Sequence, residues 1–147
     1  MLGEKSCGAI VYLKKGSETL YLMLHYEAGH WDFVKGNVEE GESDRETALR
    51  ELKEETGIAD ARFLGGFREK ISYFYKRQGA TVYKEVVFFL MEAKNMNVKL
   101  SFEHVAFDWL TKGQLLSLPM FVVGIIMFSL AYGTKIKQLI WSIIFLF

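Results

Sequence analysis

The chain of 147 residues carries 18 basic and 18 acidic side chains, and its zero net charge removes any broad electrostatic case for binding long nucleic acid. A single cysteine, Cys7, excludes a disulfide framework and points to a reducing, intracellular setting. The length suits one domain with a sizeable core, and the opening MLGEKS has no signal-peptide pattern, so the cytoplasm is the expected location.

Residues 6–12 (SCGAIVY) are an apolar run of strand length. Cys7 lies in it and reads as a small buried residue rather than a nucleophile. A turn is expected at residues 14–17 and a second strand at residues 19–26 (TLYLMLHY). Residues 27–30 form a loop. Residues 31–34 make a short aromatic strand leading to Lys35 and Gly36, with Trp31 expected to pack in the core. A cation at Lys35 can meet a phosphate oxygen, and His30 offers a flat surface to a base.

Residues 36–58 (GNVEEGESDRETALRELKEETGI) are densely acidic and hold the clearest helix signals. Ser43 followed by Glu46 is a capping box, Asp44 suits the first turn, and Gly57 falls where a left-handed cap ends a helix. These signals predict a helix over residues 44–56 with Ala48, Leu49 and Leu52 on its apolar face. Glu51, Glu54 and Glu55 stand at i, i+3 and i+4, so their carboxylates are expected on one side. Like charges at that spacing repel, and a hard divalent cation, Mg²⁺ or Mn²⁺, relieves the conflict. Arg50 is placed to pair with Glu42 and to fix the preceding loop.

Beyond the helix, residues 61–75 read as extended, with a break near Gly65 and Gly66. Residues 76–79 form a hairpin turn, residues 81–93 return as a Val- and Phe-rich strand, and residues 105–110 (VAFDWL) are a last strand. Period-two alternation puts Tyr73 and Tyr75 on one face, opposite Phe74 and near Arg77 and Lys84. Tyrosines so placed can stack on a nucleobase.

All 18 acidic residues lie at or before Asp108, and past it only Lys112, Lys135 and Lys137 are charged. The expected division is a core over residues 1–112 and a hydrophobic segment over residues 113–147. Residues 115–132 reach the length of a membrane span. Three readings stand for this segment: a helix closing the sheet with its excess apolar surface buried in an oligomer or left exposed, a membrane anchor over residues 115–147, or a segment not selected with the domain.

Gly36, Glu42 and the run from Arg50 to Ile58 (RELKEETGI) resemble the Nudix box at every defined position. The resemblance implies an α/β/α sandwich with a mixed central sheet, and a metal-dependent hydrolase of nucleoside diphosphates linked to another group. It implies that Glu51, Glu54, Glu55 and the Gly36 carbonyl hold metal, and that Glu55 or Glu51 also handles the attacking water. The stretches HWDFVKGNVEEGE, YFYKRQG, YKEVVFFL and FEHVAFDWL are similar to the subfamily of asymmetrical diadenosine tetraphosphate hydrolases, over residues 5–111. That narrower resemblance implies cleavage to ATP and AMP, Tyr73 on adenine, Lys35 and Lys84 on the polyphosphate, Glu103 as a further metal ligand, and His104 shaping the pocket. Val34 stands where that family commonly has proline, which leaves the loop extended but less rigid. A small dinucleoside polyphosphate is thus the expected partner, and no protein partner is implied. The alternatives are another Nudix specificity (a nucleoside triphosphate, an RNA 5′ end or a diphosphoinositol polyphosphate) and a non-catalytic, membrane-tethered nucleotide-binding module.

Overall fold

The structure, a computed structural model, describes residues 2–117 and Val123. The chain divides into two compact units, Met1–Thr111 and Lys112–Phe147. In the second unit residues 112–117 are helical, and the readings of the hydrophobic segment fall on residues that mostly lie outside the described ones. Among the described residues no helix is long and apolar enough to cross a membrane.

The first unit is built on a mixed seven-stranded sheet with one helix laid against it. The strands are β1 (Leu2–Lys15), β2 (Glu18–Tyr26), β3 (Trp31–Asp32), β4 (Val34–Asn37), β5 (Arg62–Arg77), β6 (Ala80–Glu92) and β7 (His104–Thr111), and the helix α1 is Asp44–Thr56. The order β3-β2-β1-β6-β5 is extended by β4 on β1 and β7 on β2. Only β1 and β6 run parallel, so the connection between them must cross the sheet, and it carries α1 on the way. The architecture is α/β with a mixed sheet, as the sequence implies.

Alternation along the strands builds the core. Cys7, Ala9, Val11 and Leu13 of β1, Leu20, Leu22 and Leu24 of β2, and Val87, Phe89 and Met91 of β6 share one buried cluster with Ala48 and Leu52 of α1. Leu49 departs from the expected helix face: it is 38% exposed, because one apolar stripe is narrower than three residues at i, i+1 and i+4. Trp31 departs as well. It is 46% exposed on the two-residue β3 and stacks on His25 with ring centroids 4.9 Å apart.

The helix begins and ends where its side chains dictate. The Glu46 N–H donates to Ser43 Oγ at 3.4 Å, and the Ser43 N–H donates to Glu46 Oε2 at 2.8 Å. Gly57 takes φ 71°, and its N–H reaches the Lys53 carbonyl at 2.9 Å. The segment after the helix is stitched to its last turn: the Lys99 N–H donates to the Thr56 carbonyl at 2.8 Å and the Ser101 N–H to the Glu55 carbonyl at 3.1 Å. This positions the start of β7 beside Glu55. The expected break at Gly65 and Gly66 is a register shift between Phe63 and Arg68 inside a continuous β5, so the strand bends without ending. Lys76 and Arg77 belong to β5, and the turn itself is Gln78 and Gly79, both at positive φ.

Leu52 is fully buried under the helix. Leu52→Ala should cost about 3 kcal/mol of unfolding free energy, read from the midpoint of urea denaturation.

Candidate functional site

Arg50 joins three pieces of chain. Its Nε and Nη2 donate to the two Glu42 oxygens at 2.7 and 3.0 Å, a bidentate pair. Its Nη2 also donates to the Asn37 carbonyl at 2.9 Å, and its Nη1 to Glu51 at 2.7 Å and Glu54 at 3.1 Å. Glu42 is held further by Thr47 Oγ1 at 2.7 Å and the Glu39 N–H at 3.2 Å. The Arg50 guanidinium, followed by the Thr47 hydroxyl, pulls the Glu42 carboxyl down to about 2.

Helical spacing does bring the backbones of Glu51, Glu54 and Glu55 to one side, but their side chains divide. Glu51 and Glu54 share Arg50, and Glu54 is 59% exposed. Glu51 lies against Gly36 of β4, where a Cβ would run into its carboxyl, so only glycine fits there. Burial pushes the Glu51 carboxyl up, against the pull of Arg50.

Glu55 turns inward and is 5% exposed. The Tyr26 hydroxyl lies 3.3 Å from the Phe33 carbonyl and 3.5 and 3.4 Å from the two Glu55 oxygens, so its one proton is shared among them, and His104 Nε2 stands 3.8 Å away. Burial, and next the charge of Glu51, push the Glu55 carboxyl up to about 8. Burial pushes the His104 imidazole down. The exposed Glu103 adds its charge to the field at Glu51 and Glu55.

Among the described residues no group of three His, Cys, Asp or Glu side chains stands in a metal-holding arrangement. The expected cluster of Glu51, Glu54, Glu55 and Glu103 is therefore not gathered as such. Arg50 occupies the space between Glu51 and Glu54, and Glu55 is drawn under Tyr26 and His104. The donor chemistry still suits a hard divalent cation: Glu51 and Glu55 feel each other's charge and that of Glu103, Glu51 also feels Glu54, and burial first of all pushes both carboxyls up.

A cleft of about 440 Å³ opens beside this group, lined by Tyr26, His30, Lys35, Gly36, Asn37, Tyr73, Tyr75 and Lys84. Lys35 pairs with Asp32 at 2.9 Å and lies over the Tyr26 ring at 4.6 Å. His30 stacks on the other side of the cleft wall against Tyr26, ring centroids 5.0 Å apart. Tyr73 is 39% exposed and 6.4 Å from Tyr75, whose hydroxyl donates to Glu4 at 2.7 Å. Lys84 is half-buried, its amine pushed down by desolvation, and it makes no ion pair among the described residues. The structure thus gathers His30, Lys35, Gly36, Tyr73 and Lys84 in one cleft, and Glu103 is not among the lining residues.

Tyr26, Asn37 and Asp32 escaped the sequence reading. Tyr26 carried a usable signal: Leu20, Leu22, Leu24 and Tyr26 alternate on one face of β2, so its hydroxyl had to point under the helix. Asn37 acts through its carbonyl, which no side-chain pattern reveals.

Two stability effects follow in metal-free protein. Glu42 titrates near 2 against an ordinary 4.5, so its contribution is present above 4.5 and lost as pH falls toward 2. Glu42→Gln should lower Tm at pH 7 and converge on the parent at the acid end. Glu55 runs the other way: its contribution is present below 4.5 and lost as pH rises through about 8. In chelator at pH 9, Glu55→Gln should raise Tm by about 3 °C or more, measured by calorimetry.

Comparison with known proteins adds context to this geometry. The family profile of the NUDIX domain matches residues 4–125, past Thr111 where the sequence reading ends the likeness. The asymmetrical bis(5'-nucleosyl)-tetraphosphatase of Mus musculus is 38% identical over 118 residues, covering 72% of this chain and 78% of that protein. The mRNA-decapping protein g5R of African swine fever virus is 37% identical over 102 residues, covering 65% of this chain and 37% of that protein. The crystal structure of a C. elegans Ap4A hydrolase binary complex superposes with a TM-score of 0.65 at 27% identity, covering 82% of this chain and 98% of that one.

Proposed function

The chain belongs to the Nudix family of hydrolases, and from that premise we propose that it cleaves diadenosine tetraphosphate to ATP and AMP by water attack on phosphorus. The observation that carries this reading is the cleft that sets Tyr73, His30, Lys35 and Lys84 beside Gly36, itself in contact with Glu51. An aromatic wall, two lysines and a carboxylate cluster answer the three parts of such a substrate: base, polyphosphate and reacting centre.

A divalent cation, Mg²⁺ or Mn²⁺, would be held by Glu51, Glu54, Glu55 and the Gly36 carbonyl with Glu103 near, and when bound it supplies charge neutralisation and a more acidic water. The remaining work belongs to the chain. Tyr73 stacks on an adenine, with Tyr75 held upright behind it by Glu4. Lys84, desolvated and without an ion pair among the described residues, binds a phosphate oxygen, and Lys35 does the same by exchanging Asp32 for substrate. Glu55 accepts the proton of the attacking water. Glu51 is the weaker candidate for that step because Arg50 already holds it at 2.7 Å, whereas Glu55 makes no ion pair with a lysine or arginine among the described residues and feels Lys35 only as a nearby charge and through its backbone N–H. Arg50 and Glu42 orient the cluster. We place the catalytic residues within 1–112, while the family likeness itself runs to residue 125.

A second reading, an RNA 5′ end as substrate, draws on the likeness to the decapping protein, though this chain spans 37% of that protein's length and its zero net charge offers little to a long RNA.

Incubation with diadenosine tetraphosphate and Mg²⁺ should give equal ATP and AMP by chromatography, and chelator should abolish both. Glu55→Gln should lower kcat by about 10²–10⁴-fold. Preferential release of cap from a capped RNA would favour the second reading, and no cleavage of any of these by folded protein would overturn both.

A further inference from the structure

β2 and β7 pair regularly from Leu20 and Thr111 to His25 and Ala106, and there the register shifts. Regular pairing would set Val105 opposite Tyr26. Instead His104 is the partner of Tyr26, and Val105 is left 57% exposed. A bulge of this kind re-aims a side chain. Here it swings the imidazole of His104 inward, with none of its side chain exposed, and brings Nε2 to 3.8 Å from Glu55 Oε2.

The surroundings of that ring leave one atom unsatisfied. Nδ1 lies 3.0 Å from Ser101 Oγ, and Ser101 is itself tied to the end of α1 through the Glu55 carbonyl. The Tyr26 ring meets the imidazole edge-on, centroids 4.3 Å apart, and fixes its plane. Nε2 is buried and has no hydrogen-bond partner among the described residues. A buried polar atom without a partner is costly, and the group it faces is the Glu55 carboxyl.

We propose that His104 is a positioning residue for Glu55: it accepts from the Ser101 hydroxyl at Nδ1 and donates its Nε2–H to the ionised Glu55 carboxylate, fixing that carboxylate for the reaction. A neutral imidazole has one N–H. The opposite tautomer would set a nitrogen lone pair against a charged oxygen. The Tyr26 hydroxyl approaches the same carboxyl from 3.4 Å, so Glu55 is steadied from two strands at once. This inference rests on the proton-accepting role given to Glu55 above.

The test combines kinetics with a spectroscopic readout. His104→Phe should lower kcat by about 10-fold or more at an unchanged KM, in the range found for residues that orient a functional group. His104→Gln, whose amide nitrogen can occupy the place of Nε2, should recover most of the loss, and His104→Asn should not. In a Glu55→Gln background His104→Phe should cost nothing further. Independently of any variant, two-dimensional ¹H–¹⁵N spectra of the full chain in excess Mg²⁺ should show His104 protonated at Nε2. Unchanged kcat in His104→Phe, equal losses in His104→Gln and His104→Phe, additive losses with Glu55→Gln, or a proton on Nδ1 would each overturn the inference. Full activity of Glu55→Gln would instead overturn the role of Glu55 itself, so the two failures are distinguishable.

Discussion

Arg50 is the residue on which the site depends, because one planar guanidinium satisfies groups from the loop, from β4 and from α1 together. Its Nε and Nη2 clamp Glu42, its Nη2 also takes the Asn37 carbonyl at the end of β4, and its Nη1 takes Glu51 and Glu54 on its own helix. A lysine has the charge but not the fork, and it would leave two of those three pieces of chain untied. Without this clamp the described loop of residues 38–43 keeps the Val38 N–H on the Lys5 carbonyl, the Glu42 N–H on the Glu39 carbonyl, the Thr47 hydroxyl and Glu39 N–H on the Glu42 carboxylate, and the capping box.

The clamp also explains how a folded protein tolerates so much negative charge in one place. Glu51 and Glu54 are neutralised in part by a cation the chain supplies. Glu55 has no such partner among the described residues: the nearby charge and backbone N–H of Lys35 offset only part of its upward shift, whose first cause is burial under Tyr26, His104 and the last turn of α1. The two arrangements differ in what they leave available. Groups paired with Arg50 are held in place, while Glu55 keeps its capacity to take a proton or to meet an added cation. Stability is given up at one residue and recovered elsewhere, which is the usual arrangement at a working site.

Much of this was legible in the sequence where the signal is local. The helix bounds follow from Ser43, Glu46 and Gly57, whose chemistry acts within a turn, and the structure places the helix at the residues so predicted. The pairing faces of Tyr73 and Tyr75 follow from alternation alone. What escaped depends on contacts between distant segments. The spacing of Glu51, Glu54 and Glu55 describes a helix surface, but it cannot say that Arg50 would lie across two of them or that Glu55 would turn under β2. Leu49 by its helix spacing and Trp31 by its type read as core residues, and each is exposed: Leu49 falls beside the narrow buried stripe of α1, and Trp31 stands on a two-residue strand and stacks on His25. The break read at Gly65 and Gly66 is a bend, since β6 continues alongside and its ladder resumes at Arg68.

The bulge in β7 is the least legible feature and has the widest consequences. Period-two reading of the last strand assigns Val105, Phe107 and Trp109 to one face, and only Trp109 is buried. Skipping one residue costs a ladder position and leaves Val105 in solvent. In return His104 faces Glu55, and its ring packs on Tyr26. Tyr26 is then touched on its faces by Lys35 and His30 from the cleft, on its edge by His104, and its hydroxyl points at Glu55. One aromatic side chain therefore borders both Lys35, proposed to meet the polyphosphate, and Glu55, proposed to handle the water. A side chain in such contact on every side has little freedom to shift, so the distance between those two functions is set by the sheet rather than by the loops.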